Sequence, residues 1–299
     1  MSRPCLLTFL LLAASAPSAA SACAPCESGD PTLSVMGAAT PYAGRVRAGS
    51  LLRVGWQTET SEGRTTQRTQ ADLSLALAVS PLDWLTLAVD APLTLVDVTR
   101  ADLSASTTLG PGDVTFRARA LLLRDRRWQP EHRLFVTLGM RAPTSVDQTD
   151  ALGALLPYDA QTGSGAAAPL AGVSYGFSGE WSSLLLRGQV HWPVARRYGL
   201  TPGPSAQLVA APQFSVTPWL ALRGAVGLRV DAPARIDGQA ALDGAVTFSA
   251  TPQVLLRPES DWLIRVGAQL PLVQTHANVG LTEGAAVFVG VSADLGGAS

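Results

Sequence analysis

The chain has 299 residues, 47% of them hydrophobic and only 15% charged, with a formal net charge of −1. That balance excludes an electrostatic nucleic-acid binder and is apolar for a soluble protein of this length. All 22 basic residues are arginine, a bias of the kind GC-rich coding produces.

Residues 1–22 read as a secretory signal. Arg3 gives a short basic start, LLTFLLLAA an apolar core, and Ala20-Ser21-Ala22 a small-residue cleavage site. The core is too short to cross a bilayer as a helix, so export is expected, into a compartment that permits disulfides. The segment 23–43 follows as a periplasmic N-terminal piece that opens with CAPC. Cys23 and Cys26 can form a disulfide, act as a redox pair or supply half of a tetrahedral metal site. Cys23 also stands where a lipid could be attached. No histidine neighbours them, so no metal and no cofactor are assigned.

Residues 44–299 alternate with period two, the signature of strands. In 72–79 the apolar set is Leu73, Leu75, Leu77 and Val79; in 113–122 it is Val114, Phe116, Ala118, Ala120 and Leu122. In 220–230 it is Leu220, Leu222, Val226, Leu228 and Val230. One face is apolar and the other small or polar, as in a barrel with lipid outside and water inside. The expected fold is all-β: a transmembrane antiparallel up-and-down β-barrel of about twelve strands. The strands are read at 44–57, 67–79, 84–97, 112–123, 132–142, 168–178, 182–194, 205–216, 219–231, 243–256, 262–273 and 284–296. An even count puts both barrel ends on the periplasmic side of a bacterial outer membrane.

Five tryptophans, Trp84, Trp128, Trp181, Trp219 and Trp262, fall in the short connections. Amphipathic rings at one height are expected to anchor a barrel at the membrane interface, in contact with outer-membrane lipid. Their spacing approaches that of a propeller repeat, roughly 40–45 residues, but each interval holds two long strands and one long loop. The remaining connections are longer: 58–66, 98–111, 143–167, 195–204, 232–242 and 274–283. The longest, 143–167, is expected to fold into or over the pore mouth. Prolines 92, 143, 193, 233 and 271 stand towards the ends of the strands leaving the tryptophan turns, where a missing donor costs least.

Alternation assigns Arg47, Arg53, Arg117, Arg119, Arg133, Arg141, Arg187, Arg223, Arg229 and Arg265 to the inner face. The inner acids are fewer: Asp72, Asp90, Asp113 and Asp294. Such an excess gives a lumen a positive potential, so these residues are expected to line a pore for small solutes, anions favoured. Arginines paired with acids would equally fill a narrow, closed barrel. His132, His191 and His276 raise the question of a lipid hydrolase, but no G-x-S-x-G elbow accompanies them and no catalytic residue is assigned.

The segments LGPGDVTFRARALLL (109–123), VSPLDWLTLAVDAPL (79–93) and VFVGVSADLG (287–296) resemble outer-membrane barrel proteins associated with the meta-pathway of phenol degradation. The resemblance implies an all-β barrel transporter for a small-molecule solute, with no catalytic motif to carry over. The chain departs from many outer-membrane barrels in ending LGGAS instead of on an aromatic residue. Three readings result. The first is a channel or transporter. The second is a non-conducting structural or binding barrel tethering a partner through its CAPC segment. A lipid hydrolase comes a distant third.

Overall fold

The structure, a computed structural model, describes residues 42–61, 64–100, 104–126, 131–150, 152–157, 160–194, 200–236, 239–242, 244–276 and 282–295. The expected signal, Cys23, Cys26 and Trp128 lie outside the described residues.

Period-two patterning becomes strand almost throughout. The strands are β1 (Arg45–Ser61), β2 (Arg64–Leu82), β3 (Leu85–Thr99), β4 (Ala105–Pro111), β5 (Thr115–Arg124), β6 (His132–Arg141), β7 (Ala168–Ser178) and β8 (Ser182–His191). They continue as β9 (Leu200–Thr201), β10 (Ser205–Thr217), β11 (Leu220–Asp231), β12 (Ala234–Ile236), β13 (Gln239–Leu242), β14 (Ala245–Leu256), β15 (Trp262–His276) and β16 (Thr282–Asp294). Neighbours run antiparallel, and β1 pairs with both β2 and β16, so the sheet closes on itself. With β4 and β5 counted as one interrupted stave, the barrel has twelve. At the closing seam Arg45 and Arg47 both grip Asp294, with Nη2 to Oδ2 distances of 2.7 and 2.8 Å.

Apart from 143–167, the expected loops are shorter than read from sequence. β1 and β2 pair as far as Ser61↔Arg64, absorbing nearly all of 58–66. Segments 195–204 and 232–242 contribute β9, β12 and β13, a small second sheet. Within 98–111 lies β4, which pairs with the far half of β3 from Leu93↔Pro111 to Thr99↔Ala105. β5 takes over the near half, as far as Asp90↔Thr115. The interruption has a chemical cause: Pro111 pairs with Leu93, next to Pro92, at the change of partner, and neither proline has an N–H to extend the ladder. Gly112 donates instead to the Pro92 carbonyl at 2.9 Å. Pro271 does the same for β15, standing at a register shift against β14.

Burial is inverted relative to a water-soluble protein. Leu75 is 57% exposed and Leu109 62%, both on the outer face, while inward Arg47 is 8% exposed. A barrel surrounded by lipid requires that arrangement. Four of the five turn tryptophans are described, and all are exposed at one end of the barrel, Trp262 as the first residue of β15. Two further tryptophans, Trp56 and Trp192, are exposed towards the opposite end.

Candidate functional site: an arginine-lined lumen under a folded strap

Register fixes which side chains share the lumen. Arg47 is opposite Asp294, Arg53 opposite Asp72, Arg117 opposite Ala88 and Gly139, Arg119 opposite Thr137, and Arg141 opposite Thr115. On the far wall Arg187 faces Val209, Arg229 faces Gln207, Arg223 faces Gln213, and Arg265 faces Leu255. Arg133 on β6 reaches Ser178 on β7. All ten arginines of the sequence reading therefore stand on the inner face, with Asp72 and Asp90. Arg45 and Arg68 join them; both repeat the same alternation, two residues before Arg47 and four before Asp72.

Among the described residues twelve strand arginines thus face inward, against Asp72, Asp90, Asp231, Asp294 and Glu283 in strands and Asp113 at the β4–β5 break. The acids are used locally. Asp294 is shared by Arg45 and Arg47. Arg229 holds Asp231 at 2.6 Å and Glu283 at 3.0 Å. Arg53 lies 3.9 Å from Asp72, whose carboxylate also accepts from Thr94 at 2.9 Å. Arg223 and Arg265 repel each other across β14. The Arg119 guanidinium stacks 3.7 Å above the Phe135 ring, which partly compensates its desolvation.

The inner face is not uniformly polar, contrary to the reading of a wet lumen. Leu185, Ala211 and Ala225 pack as one inward apolar cluster, and Val96, Val98 and Ala160 as another, with Leu156 against it. Val96 and Val98 are fully buried because the described residues of 142–167 fold back into the barrel, with Leu156 and Ala160 packed against them. The expectation for this loop is met at its described residues.

The strap is stitched internally and clasped at its ends. Leu156 N–H donates to the Gln148 carbonyl, while the Gln161 amide donates to the carbonyls of Gln148 and Leu156. Asp113 accepts from Ser145 N–H at 3.2 Å, Ser164 Oγ at 2.8 Å and Gly165 N–H at 3.0 Å, so one carboxylate joins the outgoing and returning ends. Gly165 adopts φ of 59°, and a Cβ on Gly163 would meet Ser145 Cβ at 2.6 Å. Both positions therefore favour glycine. Thr108 Oγ1 donates to the Ala160 carbonyl and Thr162 Oγ1 to that of Pro111, which ties the strap to β4.

The histidines stand apart from one another. His191 faces inward opposite Ser205 and Leu170. His132 lies at the β5–β6 turn, its Nδ1 2.6 Å from the Tyr175 hydroxyl, and His276 ends β15. Beside His132, its own N–H donates to Asp125 at 3.0 Å and holds that carboxyl below the usual carboxylate range.

No family model matches the chain, and no curated protein matches it. Among solved structures it is similar to the COG4313 outer membrane channel from Pseudomonas putida F1, with 18% identity, 85% of this chain and 96% of that one covered, and a TM-score of 0.66. The β domain of the Bordetella autotransporter BrkA matches with 10% identity, coverage of 85% and 100%, and a TM-score of 0.49. The NanC porin matches with 9% identity, coverage of 82% and 100%, and a TM-score of 0.47. At such identities the likeness concerns architecture: the chain has the fold of the outer-membrane β-barrels.

Proposed function

We propose that this protein is an outer-membrane channel for small anionic solutes and performs no covalent chemistry. The observation that carries the reading is the inner wall, where twelve arginines meet six acids among the described residues. Inside a low-dielectric wall such an excess focuses a positive potential along the axis, which raises the local concentration of anions. The apolar outer face and the exposed tryptophans at both ends support a bilayer setting, with the turn end in the periplasm and the strap end outside. The similarity of the fold to an outer membrane channel supports the same reading, as does the hairpin resemblance to the phenol-degradation barrels.

A planar-bilayer recording of the purified protein under a potassium chloride gradient tests it. The reversal potential should take the sign of chloride selectivity. Cation preference would reject the anion channel.

One observation favours a second reading, the closed structural or binding barrel. Seven inner arginines, among them Arg117, Arg119, Arg133 and Arg141, are less than 10% exposed, so side chains fill much of the lumen. Liposome swelling separates the two: a structural barrel admits no small solute.

A further inference from the structure

The patch under the strap differs from the rest of the lumen. Along the inner face of β3 the order is Ala88, Asp90, Pro92, Thr94, Val96, Val98: the polar residues, Asp90 and Thr94, give way at the far end to two adjacent valines. Arg68 lies directly across from Val98 and Gln70 across from Val96. Arg68 is 8% exposed, so it is more than nine-tenths buried. Its only polar contact among the described residues is from Nη1 to the neutral Gln57 side chain at 3.2 Å, and its Nε donor has no partner. A buried guanidinium without a carboxylate is costly, and so is an apolar patch in a polar lumen. Side by side they fit one kind of occupant: an anionic head beside Arg68 and an apolar body across Val96 and Val98. In the closed barrel Leu156 and Ala160 of the strap supply the body, and among the described residues none supplies the head.

We propose that Arg68, Val96 and Val98 form a recognition subsite for an amphiphilic anion, an acid group on a small apolar body, and that the strap occupies its apolar half until such a solute displaces Leu156 and Ala160. The proposal rests on the channel reading and adds to it a solute class and a self-blocking contact. The strap is suited to displacement. Its ends are held by hydrogen bonds to Asp113 and Pro111, and the seat itself by the bond from Thr108 Oγ1 to the Ala160 carbonyl beside the contact with two valines; water can replace each of these hydrogen bonds.

Single-channel recording of the full chain tests this with two permanently ionised probes added at the strap side, hexane-1-sulfonate and methanesulfonate. The expected result is current interruption by hexanesulfonate with dwell times about tenfold longer than with methanesulfonate. Arg68→Gln should shorten the hexanesulfonate dwell about tenfold, Arg68→Lys should restore part of it, and Val98→Thr should shorten it without affecting methanesulfonate. Each variant is checked for the heat-modifiable gel migration of a folded barrel. Equal dwell times for the two probes, or for wild type and Arg68→Gln, overturn the subsite while ion current persists and the channel reading stands. A silent full chain is re-recorded with residues 146–161 replaced by a short Gly-Ser linker, which leaves β2 and β3 intact. Current there allows the same comparison; its absence removes the channel reading and the subsite with it.

Discussion

Asp113 carries more of the strap's position than any other single side chain. Its carboxylate takes three donors, two from the returning end and one from the outgoing end, at 7% exposure. Hydrogen bonds to a charged acceptor are worth about 1.5–3 kcal/mol each, and a tenfold population change needs only about 1.4 kcal/mol. Asp113→Ala should therefore raise the open probability about tenfold or more and, by removing an inner acid, strengthen anion selectivity. Gly163→Val should loosen the same clasp sterically, since a Cβ there lies 3.0 Å from Asp113 Cγ, yet leave selectivity unchanged. If both variants record as wild type, the clasp holds nothing that matters to conduction. The inner position of Asp113 is readable from its alternation with Thr115 and Arg117. Its partners are not, because they lie about thirty to fifty residues away in a segment with no periodicity to fix its path.

At the scale of elements, alternation located eleven of the twelve staves closely and found only the β5 part of the other, at 112–123. Residues 105–111 read as loop because ASTTLGP is short, rich in Ser and Thr and closed by Gly-Pro, all turn signals. Tertiary pairing with the apolar run of β3 overrides that local preference, and the break moves to Pro111-Gly112. Among the described residues β4 consequently has a strand on one side only, and the strap ties in to it through Thr108 and Thr162. β5 is paired on both sides, with β3 and β6. Hydrogen–deuterium exchange should show the contrast: the amides of residues 105–110 exchange faster than those of residues 115–120, and faster again in Asp113→Ala. Equal protection of β4 and β5 would mean that the strap completes the wall as well as a strand does.

On the scale of the whole molecule, two rings of tryptophan frame an apolar wall. Trp84, Trp181, Trp219 and Trp262 mark the turn end, and Trp56 and Trp192 are exposed towards the strap end. The turn ring was plain in the sequence because each indole sits beside turn residues. The opposite ring was not, because Trp56 lies inside a long strand and its height follows only from the register of β1 with β2 and β16. Indoles favour the headgroup region, where the ring is desolvated and the N–H stays wet. In bilayers of brominated lipid, bromines near the headgroup should therefore quench tryptophan emission more strongly than bromines at the chain ends. Replacing Trp84, Trp181, Trp219 and Trp262 together by Phe should remove most of the quenching seen when headgroup-proximal label is confined to the periplasm-facing leaflet, leaving that of the other leaflet to Trp56 and Trp192. Stronger quenching from chain-end bromines would place the indoles at mid-bilayer. The turns could not then mark a membrane surface, and the assignment of the strap to the outside would lose its ruler.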